Sequence, residues 1–227
     1  SLSFGQFGEQ GFRINTGSFV GEIEDNTFYL THTRNPAQVG LSFEAWGRSD
    51  TLISTLDKTP ELALCPKDAS SMCKSQIEFE DEGIQTWYRG DYSAIEQGWT
   101  LETAPEGSGY LSLLVNFIGI QNLIVDMDQA IMTDESGNSW IYDGLAAWDS
   151  KGTPLEVWLE EAEEGVLVRV DDTDAQYPIV VDPWFSTTGN EVQNTETTSD
   201  INNATNDITG EACHWRYGYT SNQIDGT

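Results

Sequence analysis

The chain has 227 residues and carries 38 acidic against 10 basic side chains, a formal net charge of −28. That charge repels phosphate backbones and anionic lipid headgroups, which argues against nucleic acid or a membrane surface as partner. Hydrophobic residues make up 38% and aromatics 11%, enough to build a core and too much for a disordered chain, and no run approaches the ~18 apolar residues of a membrane-spanning helix.

In chain order the dominant pattern is short alternation of apolar and polar residues. It begins at Leu41-Ser42-Phe43-Glu44-Ala45-Trp46 and recurs at Ile77-Glu78-Phe79-Glu80, Trp99-Thr100-Leu101-Glu102, Leu111-Ser112-Leu113, Leu155-Glu156-Val157-Trp158-Leu159 and Val166, Val168 and Val170. A two-residue period places one set of side chains on a buried sheet face and the other in water, so each run predicts a strand. Between the runs lie Asp81-Glu82-Gly83, Pro105-Glu106-Gly107-Ser108-Gly109, Asp134-Glu135-Ser136-Gly137-Asn138 and Asp149-Ser150-Lys151-Gly152. These residue types tolerate positive φ or hydrogen-bond their own backbone, and they predict turns. Strands at this spacing without a helical period predict an all-β antiparallel β-sandwich over residues 1–185, with a barrel as the alternative closure.

Cys65 and Cys73 bracket a short polar segment, and Cys213 stands apart. The first two are read as a disulfide closing a small loop in an oxidising compartment, the alternative being two free thiols. Cys213 is either free or paired outside the chain. After Phe185 the composition turns to Ser, Thr and Asn. Residues 186–212 are expected to be a polar linker, and residues 213–227, where aromatics return, the start of a further domain or a docking strand.

Five stretches taken in order carry a resemblance: residues 40–48, Ile84-Gln85-Thr86-Trp87-Tyr88, residues 94–101, residues 142–149 and residues 171–183, the last ending in Val180-Val181-Asp182-Pro183. The series resembles the N-terminal β-rich domain that precedes FG-GAP (integrin-α-like propeller) repeats in secreted bacterial proteins, over roughly Phe4 to Phe185. The resemblance implies an extracellular β-rich module with no enzymatic residues to carry over. In that family the terminal Asp-Pro leads into propeller repeats with Asp-rich calcium loops, whereas here a Ser/Thr/Asn-rich segment follows.

Candidate chemistry is sparse. The two histidines, His32 and His214, are read as surface or core residues, and the cysteines lack zinc-ligand spacing. Asp171, Asp172 and Asp174 form the densest acidic cluster and are the candidate Ca2+ ligands, because a hard cation takes roughly six to eight oxygens; Asp134, Glu135 and Asn138 form a second candidate loop. The plainer reading of both is a solvated acidic turn. Trp46, Trp99, Trp148 and Trp158 are expected in the core. Arg89-Gly90-Asp91 has the form of an integrin-recognition tripeptide, its plainer reading being a turn in which glycine supplies the backbone geometry.

These observations predict a non-catalytic structural or interaction module, extracellular or on the cell surface, for spacing, docking or assembly. Its partners would be other domains of the same protein, cell-surface proteins or glycans. A carbohydrate-binding adhesin domain is the alternative, and it predicts exposed Trp or Tyr rings beside acidic or amide groups. A glycoside hydrolase is the second alternative, and it predicts two carboxylates facing each other across a cleft.

Overall fold

The structure is a computed structural model and describes residues 4–7, 11–16, 19–24, 27–34, 36–55, 60–63, 76–91 and 94–187. Within them the chain is all-β. In order, the strands are β1 (Gly5–Phe7), β2 (Gly11–Asn15), β3 (Phe19–Glu24), β4 (Thr27–His32), β5 (Gln38–Arg48), β6 (Thr51–Ser54), β7 (Glu61–Ala63), β8 (Gln76–Asp81), β9 (Ile84–Gly90), β10 (Ala94–Leu101), β11 (Leu111–Ile118), β12 (Ile120–Val125), β13 (Ala130–Asp134), β14 (Ser139–Trp148), β15 (Glu156–Ala162), β16 (Gly165–Asp171) and β17 (Ile179–Thr187). The alternation that predicts them is the alternation that buries them. In β16, Val166, Val168 and Val170 are buried while Leu167, Arg169 and Asp171 are partly exposed.

Two antiparallel sheets form a sandwich, as the sequence predicts. The first runs β1-β2-β3-β4-β5-β11-β16-β15, and the second runs β12-β13-β14-β17-β10-β9-β8-β7. Strand β5 is long enough to take two partners along one edge: β4 pairs with Gln38 to Ser42, and β6 pairs with Ala45 to Arg48. Its other edge pairs with β11, with a register shift at Leu114/Val115.

The inner faces interlock through aromatic rings. Phe28 stacks on Tyr88 at 4.9 Å, Phe43 packs on Trp99 at 5.2 Å, and Phe117 meets Tyr142 edge-on at 5.5 Å. Each pair joins one sheet to the other, and burying each such ring contributes about 1.5–3 kcal/mol. One polar side chain sits among them: Gln97 donates through Nε2 to Tyr88 Oη at 3.0 Å and accepts from Tyr142 Oη at 2.8 Å. Both phenols are therefore satisfied without water, as burial demands.

Four connections made wholly of described residues cross between the sheets. Residues 102–110 carry the chain from β10 to β11, Gly119 alone from β11 to β12, residues 149–155 from β14 to β15 and residues 172–178 from β16 to β17. The single-residue crossing needs glycine: φ at Gly119 is +74°, and a Cβ there would lie 2.3 Å from the Gln38 carbonyl oxygen. At the sandwich edge, Leu159 N donates to Met127 O at 2.8 Å, so one main-chain hydrogen bond links β15 to the β12–β13 turn.

Strand β17 extends the folded unit past its expected end. Ser186 pairs with Ala94 and Thr187 with Trp140, so both residues belong to the sheet and not to the linker expected from 186 onward. Composition misplaces this boundary because ladder bonds come from the main chain, which Ser and Thr supply as well as Val does. Residues 188–227, with the rest of that expected linker and the segment 213–227, lie outside the described residues.

Candidate functional site

Three polar clusters stand out, one at a loop end of the sandwich and one on the outer face of each sheet.

At the loop end, three of the crossing connections are tied together by acids. Arg48, the last residue of β5, donates through Nε to Pro105 O and through Nη1 to Gly109 O, each at 3.3 Å, and through Nη1 to Asp172 Oδ1 at 2.5 Å. Tyr177 Oη donates to Asp172 Oδ2 at 2.6 Å. The bond to Asp172 holds the guanidinium above its ordinary value, and burial followed by Asp172 raises the phenol of Tyr177. Asp149 does the same for its neighbours: Oδ1 accepts from Lys151 N at 2.9 Å and Thr153 N at 2.8 Å, and Oδ2 accepts from Gln176 N at 3.2 Å. The amides of Thr153, Gln176 and Lys151 hold its carboxyl below the ordinary carboxylate value.

The residues expected to hold Ca2+, Asp171, Asp172 and Asp174, belong to this end, and each has its own setting. Asp172 is buried against Arg48 and Tyr177. Asp171 Oδ1 accepts from Thr173 N at 3.1 Å and Thr173 Oγ1 at 2.6 Å, and Asp174 is exposed. In the second loop, Asp134 Oδ1 accepts from the amides of Ser136 and Asn138, each at 2.9 Å, and Oδ2 from Asn138 Nδ2 at 2.6 Å and Trp140 Nε1 at 3.0 Å. Among the described residues no group of three His, Cys, Asp or Glu side chains is arranged around a metal position. Asp134 and Asp171 accept from the amides of their own turns, and Asp172 ties its loop to Arg48 and Tyr177.

On the outer face of the second sheet lies a buried charged row. Register pairs Glu96 with Arg89 on one side and with Trp184 on the other, and Trp184 with Asp143. The alternating partners Ile95, Trp99 and Leu101 belong to the core, so this row faces away from it, yet Glu96 is 0% and Asp182 2% exposed. Arg89 Nη1 lies 3.9 Å from Glu96 Oε2, Nε donates to Gln76 Oε1 at 2.6 Å, and the guanidinium sits 4.1 Å over the Trp87 ring. Burial pulls this guanidinium down from its ordinary value, against the nearby charges of Glu96, Asp182 and Glu78. Arg89-Gly90-Asp91 is thus not a turn. Arg89 and Gly90 are paired strand residues, and Gly90 is small because Ile14 Cδ1 would lie 1.9 Å from a Cβ there.

The outer face of the first sheet presents an aromatic corner. Trp158 and Tyr110 meet edge-to-face at 4.9 Å and 84°, and Tyr110 is 47% exposed. Trp158 Nε1 donates to Glu160 Oε1 at 3.1 Å; Arg169 reaches Glu160 Oε2 through Nε at 3.0 Å and Nη2 at 2.9 Å. The Arg169 guanidinium also donates to Ser112 Oγ and, at 3.2 Å, to Ser49 Oγ. The indole N–H and Arg169 hold the Glu160 carboxyl below its ordinary value.

Of the four tryptophans expected in the core, Trp46 and Trp99 lie there, whereas Trp148 and Trp158 are only partly buried. The signal for Trp158 is in the sequence: a two-residue period that turns Val157 and Leu159 inward turns Trp158 outward with Glu156 and Glu160. Sequence reasoning singles out neither Tyr110, Arg169 nor Arg48, because their partners are distant along the chain. His32 is partly exposed, its Nδ1 accepting from Arg34 N at 3.2 Å. Cys65, Cys73, Cys213 and His214 lie outside the described residues.

Comparison with known proteins adds no relative: no family model matches the chain, and no curated protein matches it.

Proposed function

We propose that this chain is a non-catalytic structural and interaction module of a secreted or cell-surface bacterial protein, used for spacing or docking neighbouring parts. The observation that carries the reading is the use of the loop acids. Asp134, Asp149 and Asp172 each accept two or more hydrogen bonds from turn amides, indoles, phenols or a guanidinium, which fixes the connections where the chain crosses or turns between strands. A sandwich whose loops are tied in this way transmits load and presents constant surfaces. Its resemblance to the domain that precedes FG-GAP repeats supports the same role and the extracellular setting, where an acidic surface is screened by salt. Asp134, Asp149, Asp171 and Glu160 are held below the ordinary carboxylate value, the opposite of what the general acid of a glycoside hydrolase needs, which turns the test to the buried carboxylates Glu96 and Asp182.

The test is a substrate panel of polysaccharides, casein and nitrophenyl esters, assayed for product release with the wild type beside Glu96→Gln and Asp182→Asn. The reading expects no difference between the three proteins. Turnover by the wild type that either substitution abolishes would replace it with a hydrolase.

A further inference from the structure

We infer that the corner formed by Trp158 and Tyr110 on the outer face of the first sheet is a binding site for a neutral hexopyranose unit of a glycan. This rests on the reading of the chain as a non-catalytic interaction module and names the ligand class that one of its faces takes.

The backbone that carries the corner is tied by several hydrogen bonds. An aromatic ring that stays half in water contributes little to the core, yet the Tyr110 main chain is pinned from three directions: Ser49 N at 3.1 Å, Ser49 Oγ at 3.3 Å and Ser112 Oγ at 3.0 Å all donate to its carbonyl oxygen. Arg169 in turn fixes both serine hydroxyls, and Trp158 is oriented by its bond to Glu160. An indole already oriented, on a backbone already tied, binds with less entropy loss than a mobile one.

The chemistry of the corner selects the ligand. Two rings at 84° offer one flat face on which the C–H face of a pyranose can lie and one wall against its edge. Beside them the Glu160 side chain is 45% exposed. Its oxygens have lone pairs beyond those used by Trp158 and Arg169, since a carboxylate accepts about four hydrogen bonds. The indole N–H of Trp158 and four of the five Arg169 N–H groups are engaged with Glu160, Ser49 and Ser112, so the polar surface beside the rings is chiefly the acceptor oxygens of Glu160 and the Tyr110 hydroxyl. Vicinal hydroxyls can donate to such a surface. A proline-rich peptide, which presents carbonyl acceptors, meets mainly the Tyr110 phenol as donor and is the competing ligand that the test includes. Glu160 and the net charge of −28 disfavour acidic sugars, which leaves neutral hexoses.

The experiment titrates the whole chain with four probes, cellohexaose, chitohexaose, an oligogalacturonide and a proline-rich decapeptide, following tryptophan fluorescence and calorimetric heat. Expected is saturable binding of at least one neutral hexasaccharide, weakened about tenfold or more by Trp158→Ala and to a smaller degree by Tyr110→Ala, with the melting temperature of each variant close to that of the wild type. Trp158→Phe, which keeps a flat ring, should recover part of the affinity. No binding of either neutral oligosaccharide, binding equal in wild type and Trp158→Ala, or a preference for the peptide or the oligogalacturonide would each overturn the assignment. If the neutral sugar is bound through Trp158 and also cleaved, the site stands and the non-catalytic reading falls.

Discussion

Arg48 and Asp172 are 124 positions apart in the chain and 2.5 Å apart in the fold, with side chains only 13% and 5% exposed. This pair joins the end of β5 to the crossing between β16 and β17, and the same guanidinium holds the crossing between β10 and β11 through Pro105 and Gly109. Removing one partner leaves the other charge largely buried without compensation. Arg48→Met and Asp172→Asn are each expected to cost about 2–4 kcal/mol, and the double variant less than the sum of the two. Urea denaturation of the four proteins measures the coupling; strictly additive effects would show that the pair does not act as a unit.

A second prediction concerns the polar link inside the core. Tyr142→Phe removes the proton that Gln97 Oε1 accepts and leaves a buried acceptor unsatisfied, at a cost of about 1–3 kcal/mol. Burial raises the phenols of Tyr142 and Tyr88, the Gln97 bond pulling Tyr88 part of the way back. A raised folded-state pKa means that stability is complete below the unfolded tyrosine value, about 10, and is lost as pH rises through the folded value. Phenolate absorbance should therefore show these two tyrosines ionising only together with loss of the near-ultraviolet dichroism of the fold. Their ionisation in an intact fold near the unfolded value would contradict the packing described.

Two glycines that both look crowded should behave differently. A Cβ on Gly165 would lie 2.0 Å from the Val115 carbonyl oxygen and 2.8 Å from Asn116 Cα, main-chain atoms that cannot move without disturbing the β11–β16 ladder. At Gly90 the obstacle is Ile14 Cδ1 at 1.9 Å, the tip of a side chain that can rotate. Gly165→Ala is expected to destabilise by about 1–3 kcal/mol and Gly90→Ala by less, as read from thermal melts; the reverse order would sink this distinction.

Acid should loosen the turns in a defined direction. Burial pushes the Asp134 carboxyl up, but the donors Trp140, Asn138 and Ser136 outweigh it and hold it below its ordinary value. A lowered folded-state pKa gives stability that is present above the unfolded value, about 4, and is lost as pH falls through the folded value. The melting temperature of the wild type should thus be level from neutral pH down to about that value and then fall. Asp134→Asn should start lower at neutral pH, by about 1–2 kcal/mol, and show a shallower acid limb. Parallel acid limbs would remove Asp134 from the account.

Much of this fold is legible in the sequence, because a two-residue period reports directly which side chains share a face. Val166, Val168 and Val170 mark β16, and the acidic glycine turns at Asp134–Asn138 and Asp149–Gly152 fall where the chain reverses. The partners across space are not legible. Nothing local to Arg48 points to Asp172, and nothing near Tyr110 points to Trp158, since such pairs are fixed by the order in which β5, β11, β16 and β15 lie side by side. For the same reason a dense acidic triplet reads equally well as a cation site or as turn ties. Only the placement of Arg48 and Tyr177 shows where the oxygens of Asp172 are engaged.

Amide hydrogen exchange followed residue by residue at neutral pH tests most directly whether loop carboxylates cross-tie a rigid module. The amides of Lys151, Thr153 and Gln176, which donate to Asp149, should exchange as slowly as strand amides of β16. Asp149→Ala should release those three while β16 stays protected. Exchange of these turn amides at the rate of an unstructured peptide in the wild type would contradict the account.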